Sequence, residues 1–166
     1  FNQLTERWFT PLHRFASRYL KDDEEANDVV QKACIKMYQN LDSLDNPEKF
    51  KPWAYRIVNH LCIDELRRAG RREFVSWNEE VHQSNNGEVE LPSQAVEKNE
   101  QFRLVQQALL AIPDEQRVIV LLKEYEGLTF REIAEILDIP INTAKSRLYY
   151  GLSALRKKLK KWKVDL

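Results

Sequence analysis

Eight basic side chains and no acidic one lie between Lys145 and Lys163: Lys145, Arg147, Arg156, Lys157, Lys158, Lys160, Lys161 and Lys163. Phosphate is the natural counter-charge for such a run. The residues before it supply a geometry. Thr129-Phe130-Arg131-Glu132 has a hydroxyl and a carboxylate at capping-box spacing, and Ile133, Ala134 and Leu137 follow as the inward face of a short helix. Leu137-Asp138-Ile139-Pro140 is a turn of the length that sets two helices at a steep angle. Asn142-Thr143 then caps a second helix, with Ala144 and Leu148 inward and Lys145, Ser146, Arg147, Tyr149 and Tyr150 outward. This is a helix-turn-helix pattern, and its second helix would lie in the DNA major groove. Two packed helices with a solvated basic tail is the plainer alternative, but it leaves the agreement of cap, turn and basic helix unexplained.

A second set of residues sits in the N-terminal half. Asp28, Gln31, Lys32, Ile35 and Gln39 recur at helical spacing, on a side distinct from the apolar stripe of Ala26, Val29, Val30, Ala33, Met37 and Leu41. A solvated face is the ordinary reading of such residues; Ile35 in their midst also fits a partner-protein surface. Further on, Phe50, Trp53 and Tyr55 precede Arg56, Asn59 and His60, and Arg67, Arg68, Arg71 and Arg72 close the stretch. Aromatics are usually core. Interleaved with Arg, Lys and Asn they are also what stacking on unpaired bases needs.

Other chemistry is poorly represented. His60 and Cys62 are two apart, which does not bring both to one helix face, and His13 and His82 are remote from them. Glu24-Glu25 reads as a helix first turn and Glu79-Glu80 as part of a linker. No nucleophile stands with a base, so neither enzyme function nor a metal or other cofactor is expected. The chain has 4 Gly, and neither nucleotide-binding glycine fingerprint is present. Cys34 and Cys62 each fall in an apolar-periodic stretch and read as buried thiols of a reducing compartment.

The elements that must position these groups are helices. Apolar positions Leu4, Trp8, Leu12, Phe15 and Tyr19 mark a first helix, and Asp22-Asp23-Glu24-Glu25 caps a second. Asp42 to Pro47 is a polar loop, and a third helix starts near Pro47 or Pro52 and runs to about Arg68. Periodicity resumes from Val96 with Phe102, Val105 and Leu109 inward, restarts after Pro113, and ends in a helix from Pro140 to about Lys161. The 166 residues are 43% hydrophobic and 31% charged, a globular composition. Net charge is zero, but unevenly spread: residues 1–72 carry +2, 73–100 carry −6 and 101–166 carry +4. The expectation is an all-α chain of two small helical domains, 1–72 and 97–166, joined by an acidic linker at 73–96. No apolar run approaches the ~18 residues that span a bilayer. No signal-peptide pattern is visible, and Phe1 is not an initiator Met. A cytoplasmic protein without membrane insertion is expected.

These motifs resemble one family in order and spacing. Glu24-Glu25-Ala26-Asn27-Asp28-Val29-Val30-Gln31 resembles the start of region 2.2 of bacterial sigma-70 factors. Phe50-Lys51-Pro52-Trp53-Ala54-Tyr55-Arg56-Ile57-Val58-Asn59, then Asp64-Glu65-Leu66-Arg67-Arg68, resembles regions 2.3 and 2.4. Ile112-Pro113, Arg117, Leu128 to Ala134 and Asn142 to Leu148 resemble region 4. The subgroup is the small extracytoplasmic-function (ECF) one, which has only regions 2 and 4. Three departures stand out: Lys32 where the family often has Glu, Asn142 where it has Gly, and Tyr149-Tyr150-Gly151-Leu152 in place of an Arg-rich continuation.

The resemblance implies a division of labour. Region 2 docks on the beta' clamp of core RNA polymerase and opens the minus-10 element; region 4 meets the beta flap and reads the minus-35 element as duplex. The linker runs through the polymerase channel, and an anti-sigma factor commonly holds the two domains inactive. Carried onto this chain, core binding falls to Asp28, Gln31, Lys32 and Ile35. Capture of a flipped minus-10 base falls to Ser43, Asp45, Asn46 and Lys49, with Trp53, Tyr55, Arg56, Asn59 and Arg67 along the strand's path. The minus-35 element falls to Thr143, Lys145, Ser146, Arg147, Tyr149 and Tyr150. Two rivals fit less well. A phosphorylation-controlled regulator would alternate strands and helices, whereas 1–72 reads as helices only. A helical adaptor that binds only proteins leaves the basic helix after Pro140 without a purpose.

Overall fold

The computed structural model describes residues 2–76 and 93–162, and every element among them is helical. The first bundle comprises α1 (Asn2–Leu20), α2 (Asp23–Gln39) and α3 (Phe50–Ser76). Lys21 reverses the chain in a left-handed conformation, φ 68°. Asp22 then accepts hydrogen bonds from the Glu24 and Glu25 amides at 2.8 and 2.9 Å, so the acidic first turn of α2 is capped as its sequence requires. Leu12, Phe15 and Tyr19 of α1, Ala26, Val29, Val30, Ala33 and Met37 of α2 and Ala54, Tyr55, Val58 and Cys62 of α3 close a common core, whereas Leu41, expected in the α2 stripe, stands half-buried on the turn after it. The expected polar loop is two short 3-10 turns, Leu41–Ser43 and Pro47–Lys49.

The second bundle comprises α4 (Ser93–Leu110), α5 (Asp114–Val120), α6 (Phe130–Leu137) and α7 (Ile141–Lys161). A π-helical segment, Leu121–Tyr125, continues α5. It ends where the Glu126 amide donates to Leu121 O at 3.2 Å and Gly127 takes φ 64°. That positive φ suits glycine and turns the chain into α6. α7 is the centre of this bundle and packs against α4, α5 and α6. The two bundles also touch: α6 lies on α3, the π-helical segment meets α1, and the buried residues of both join in one apolar cluster.

Several boundaries differ from those expected. Both ends of the expected 73–96 linker are helix, through Ser76 and from Ser93, and the rest of it, with Glu79-Glu80 and His82, lies outside the described residues. Phe102, expected inward, is 53% exposed. Pro140, not Asn142-Thr143, is the N-cap of α7: its carbonyl accepts from the Ala144 amide at 3.1 Å, and no side chain caps the helix. Cys62 is buried and Cys34 half-buried, both are free, and burial pushes both thiols above their usual range.

Close approach fixes the position of α7. A Cβ built on Gly151 would stand 3.1 Å from Val120 Cγ2 and 3.3 Å from Gln116 Cβ. Gly151→Val should therefore lower the unfolding free energy by about 1–3 kcal/mol, as overpacking does. Urea denaturation followed by circular dichroism measures it, and an unchanged midpoint would show that α5 and α7 are looser than this.

Candidate nucleic-acid interface

The helix-turn-helix is built from local hydrogen bonds. Glu132 N donates to Thr129 Oγ1 at 3.2 Å and Thr129 N donates to Glu132 Oε2 at 2.7 Å, the reciprocal pair of a capping box. Asp138 ends α6 in the left-handed region, φ 53°, and Ile139 N donates to Ala134 O at 3.1 Å. Ala144 and Leu148 are buried against the bundle, so Lys145, Ser146, Tyr149 and Tyr150 are left on the outer face of α7. Tyr149 and Tyr150 are 70% and 60% exposed, with their rings edge to face at 5.7 Å. The Ser146 hydroxyl donates to Thr143 O at 3.0 Å, so it offers lone pairs outward rather than its proton. Basic side chains continue along α7 at Arg156, Lys157, Lys158, Lys160 and Lys161; Lys163 lies outside the described residues.

Arg147 stands differently from its expected outward place. It is half-buried, and its guanidinium pairs with Glu115 at 2.8 Å, which ties α7 to α5. Thr143 is also half-buried.

On α2, Asp28, Gln31, Lys32 and Ile35 form one exposed stripe, and Ile35 is 58% exposed. Tyr38 extends the stripe and was missed in the sequence; its signal is an apolar side chain three residues after Ile35, off the buried face.

The remaining candidates divide between a loop and a cleft. Ser43, Asp45, Asn46 and Lys49 are exposed on and between the two 3-10 turns. The Ser43 hydroxyl donates to Asn40 O at 2.6 Å. Asn46 Oδ1 accepts from Glu48 N at 2.9 Å, which leaves its amide NH2 as the group to offer. Trp53 is half-buried, its ring 5.8 Å from Phe50, while Arg56 and Arg67 are exposed. Tyr55 is not on the outer surface. Its ring meets Phe15 edge-on at 5.4 Å, and its hydroxyl donates to the Glu126 carboxylate. Burial, then that hydrogen bond, push the Tyr55 hydroxyl well above the usual phenol range.

Asn59 is 1% exposed, and among the described residues nothing donates to its Oδ1. An unmet buried acceptor costs about 1–3 kcal/mol. It lines a cavity of about 420 Å³ between the bundles, where Asn59, His60 and Arg67 face Asp114, Glu115 and Arg147. A second cleft of about 220 Å³ sets Lys49, Trp53 and Arg56 against Glu135 and Ile136 of α6.

Comparison with known proteins accounts for this combination. Residues 4–72 match sigma-70 region 2, and residues 102–155 match sigma-70 region 4. ECF RNA polymerase sigma factor SigW of Bacillus subtilis is 33% identical over 171 residues, covering 96% of this chain and 89% of SigW. The chain belongs to the sigma-70 family. Within it the chain is an ECF sigma factor. The ECF RNA polymerase sigma-E factor of Escherichia coli K12 is 31% identical, over 96% of this chain and 86% of its own. The fold is shared with the sigma factor RpoE of Bartonella quintana, solved with the anti-sigma factor NepR. That similarity has TM-score 0.76 and 22% identity and covers 96% of both chains. It is also shared with CnrH, solved with the cytosolic domain of CnrY, at TM-score 0.68 and 21% identity over 96% and 87% of the two chains. The family is one of transcription regulators. Among the described residues no helix is long and apolar enough to cross a membrane.

With the N-terminal part of α7 in a major groove, its outward side chains would meet base edges and the lysines further along would meet phosphates. A good base contact discriminates by about 1–3 kcal/mol, whereas a phosphate contact acts on all sequences alike. Lys145→Ala and Tyr149→Ala should change the preferred minus-35 sequence in a binding selection. Lys157→Ala and Lys160→Ala should flatten the salt dependence with the preference kept. Arg147→Ala should lower stability and leave the preference unchanged. A shifted preference in Arg147→Ala would return that side chain to the groove.

Proposed function

We propose that this sigma factor divides promoter recognition between its two bundles. Residues 1–72 act as region 2 and residues 97–166 as region 4, with 73–96 connecting them. The stripe Asp28, Gln31, Lys32 and Ile35 docks on the clamp of core polymerase, and region 4 meets the flap. Region 4 enters the minus-35 duplex with Lys145, Ser146, Tyr149 and Tyr150, supported by Thr143. The loop Ser43, Asp45, Asn46 and Lys49 captures a minus-10 base extruded from the non-template strand. Trp53, Arg56, Asn59 and Arg67 line the path of that strand, and Tyr55 supports it from within the core.

One observation carries this reading: a helix that fits duplex DNA and a polar loop beside an aromatic and basic helix face occur in one chain. A duplex-only binder has no use for the second. Extruding a base costs a few kcal/mol in stacking and pairing, which a pocket must return by stacking and hydrogen bonds. The buried, unmet oxygen of Asn59 supports a role reserved for another partner. Catalysis of transcription stays with the polymerase, so the sigma factor itself is not an enzyme and needs no cofactor. It works in the cytoplasm with core polymerase and promoter DNA. An anti-sigma factor restrains it, a reading supported by the complex of the structural neighbour RpoE with the anti-sigma factor NepR.

Adding the protein to core polymerase on a promoter-fragment library should give promoter-dependent run-off transcripts; their absence would refute the role. Asn46→Ala with Asn59→Ala should leave core and minus-35 binding near normal and sharply reduce permanganate reactivity of minus-10 thymines. Asn46→Asp keeps the cap on Glu48 and separates loss of that turn from loss of the amide NH2. A template pre-melted by mismatches around minus-10 should restore part of the signal. Normal reactivity of the double variant on paired DNA would refute the capture site.

A further inference from the structure

We infer that Glu126 is an intramolecular latch: it holds region 4 across the strand-capture face of α3 and keeps the free sigma factor closed. The inference rests on the reading of that face given above. Glu126 sits at the end of the π-helical segment of region 4, and its side chain is 11% exposed. Side chains from two helices of region 2 converge on it. Tyr55 donates its hydroxyl to the carboxylate, Arg18 brings its guanidinium to 4.0 Å, and Lys51 Nζ donates to the Glu126 carbonyl at 2.6 Å. Arg18 also lies over the neighbouring Tyr125 ring, 4.4 Å from its centroid.

The position of the latch decides its effect. Lys51 and Tyr55 are one turn apart on α3, and Trp53, Arg56 and Asn59 rise from that same stretch of helix. With Glu126 seated, α6 is drawn over them: Glu135 and Ile136 close the cleft at Trp53 and Arg56, and Ile136 also walls the cavity at Asn59. A DNA strand and region 4 compete for one surface. The groups that hold the latch are polar and lie near solvent at Arg18, so it is breakable. Core polymerase would open it by holding the two regions apart.

Two variants of the full chain test this, read by small-angle scattering and by anisotropy of a fluorescent single-stranded DNA pool of random 20-mers. Arg18→Glu sets a second carboxylate beside Glu126 and removes positive charge, so tighter DNA binding cannot come from added charge. Its radius of gyration should rise and the pool should bind roughly fivefold tighter or more, since apparent affinity scales with the open fraction. Glu126→Ala should behave alike, whereas Glu124→Ala, an exposed carboxylate nearby with the same charge change, should match the wild type. If Arg18→Glu loses its helical circular dichroism, Glu126→Ala against Glu124→Ala decides. An unchanged radius in Glu126→Ala would overturn the latch. Expansion without tighter DNA binding would overturn the assignment of the α3 face and leave the latch standing.

Discussion

At Glu126 the two halves of this sigma factor are joined by polar contacts: Tyr55 and Arg18 meet its carboxylate, and Lys51 donates to its backbone carbonyl. Each half is small, roughly 60–75 residues, near the lower limit for an independent core. Their buried residues join in one apolar cluster, α6 lies on α3, and the polar contacts at Glu126 also link the bundles. The π-helical segment ends at Tyr125, Glu126 follows it, and the left-handed Gly127 then turns the chain into α6.

On the proposed reading, α3 would serve two partners. Its inward side completes the three-helix core through Ala54, Val58 and Cys62, while its other side carries groups suited to a DNA strand that lie, in this arrangement, under region 4. The mismatch is chemical as well as steric. Asn59 is buried, finds no protein donor for its oxygen among the described residues, and lines the cavity between the bundles. The recognition helix is free of this conflict. Tyr149 and Tyr150 stay exposed, and Arg147 secures α7 to α5 through Glu115. The outer face of α7 thus stays accessible in the arrangement that covers this side of α3.

Local physics made most of the fold legible in the sequence. The stripe of α2, the Asp22 cap, the Thr129–Glu132 capping box and the helix-turn-helix all follow from spacing within a few residues, and all are present. The exposed stripe of α2 was legible for the same reason: its residues lie outside a well-marked core face. The sequence misled where long-range packing outweighs periodicity. Tyr55 looks like an exposed aromatic of a basic helix until Phe15 and Glu126 enclose it. Arg147 looks outward until Glu115, on another helix, takes it. At α7, Asn142-Thr143 offers better capping chemistry than Pro140, but the helix starts two residues too early for Asn142 to act as its cap. Nothing in the order of residues marks Glu126 among the chain's carboxylates, because its partners lie 71 and 75 residues away.

The most direct test is the distance between the bundles before and after polymerase binds. Spin labels at Thr10→Cys on α1 and Lys157→Cys on α7, both exposed positions, in a Cys34→Ser background report it by double electron–electron resonance. The account predicts one short, narrow distance in the free protein and a distinctly longer one in the complex with core polymerase. The same distance in both states would contradict it.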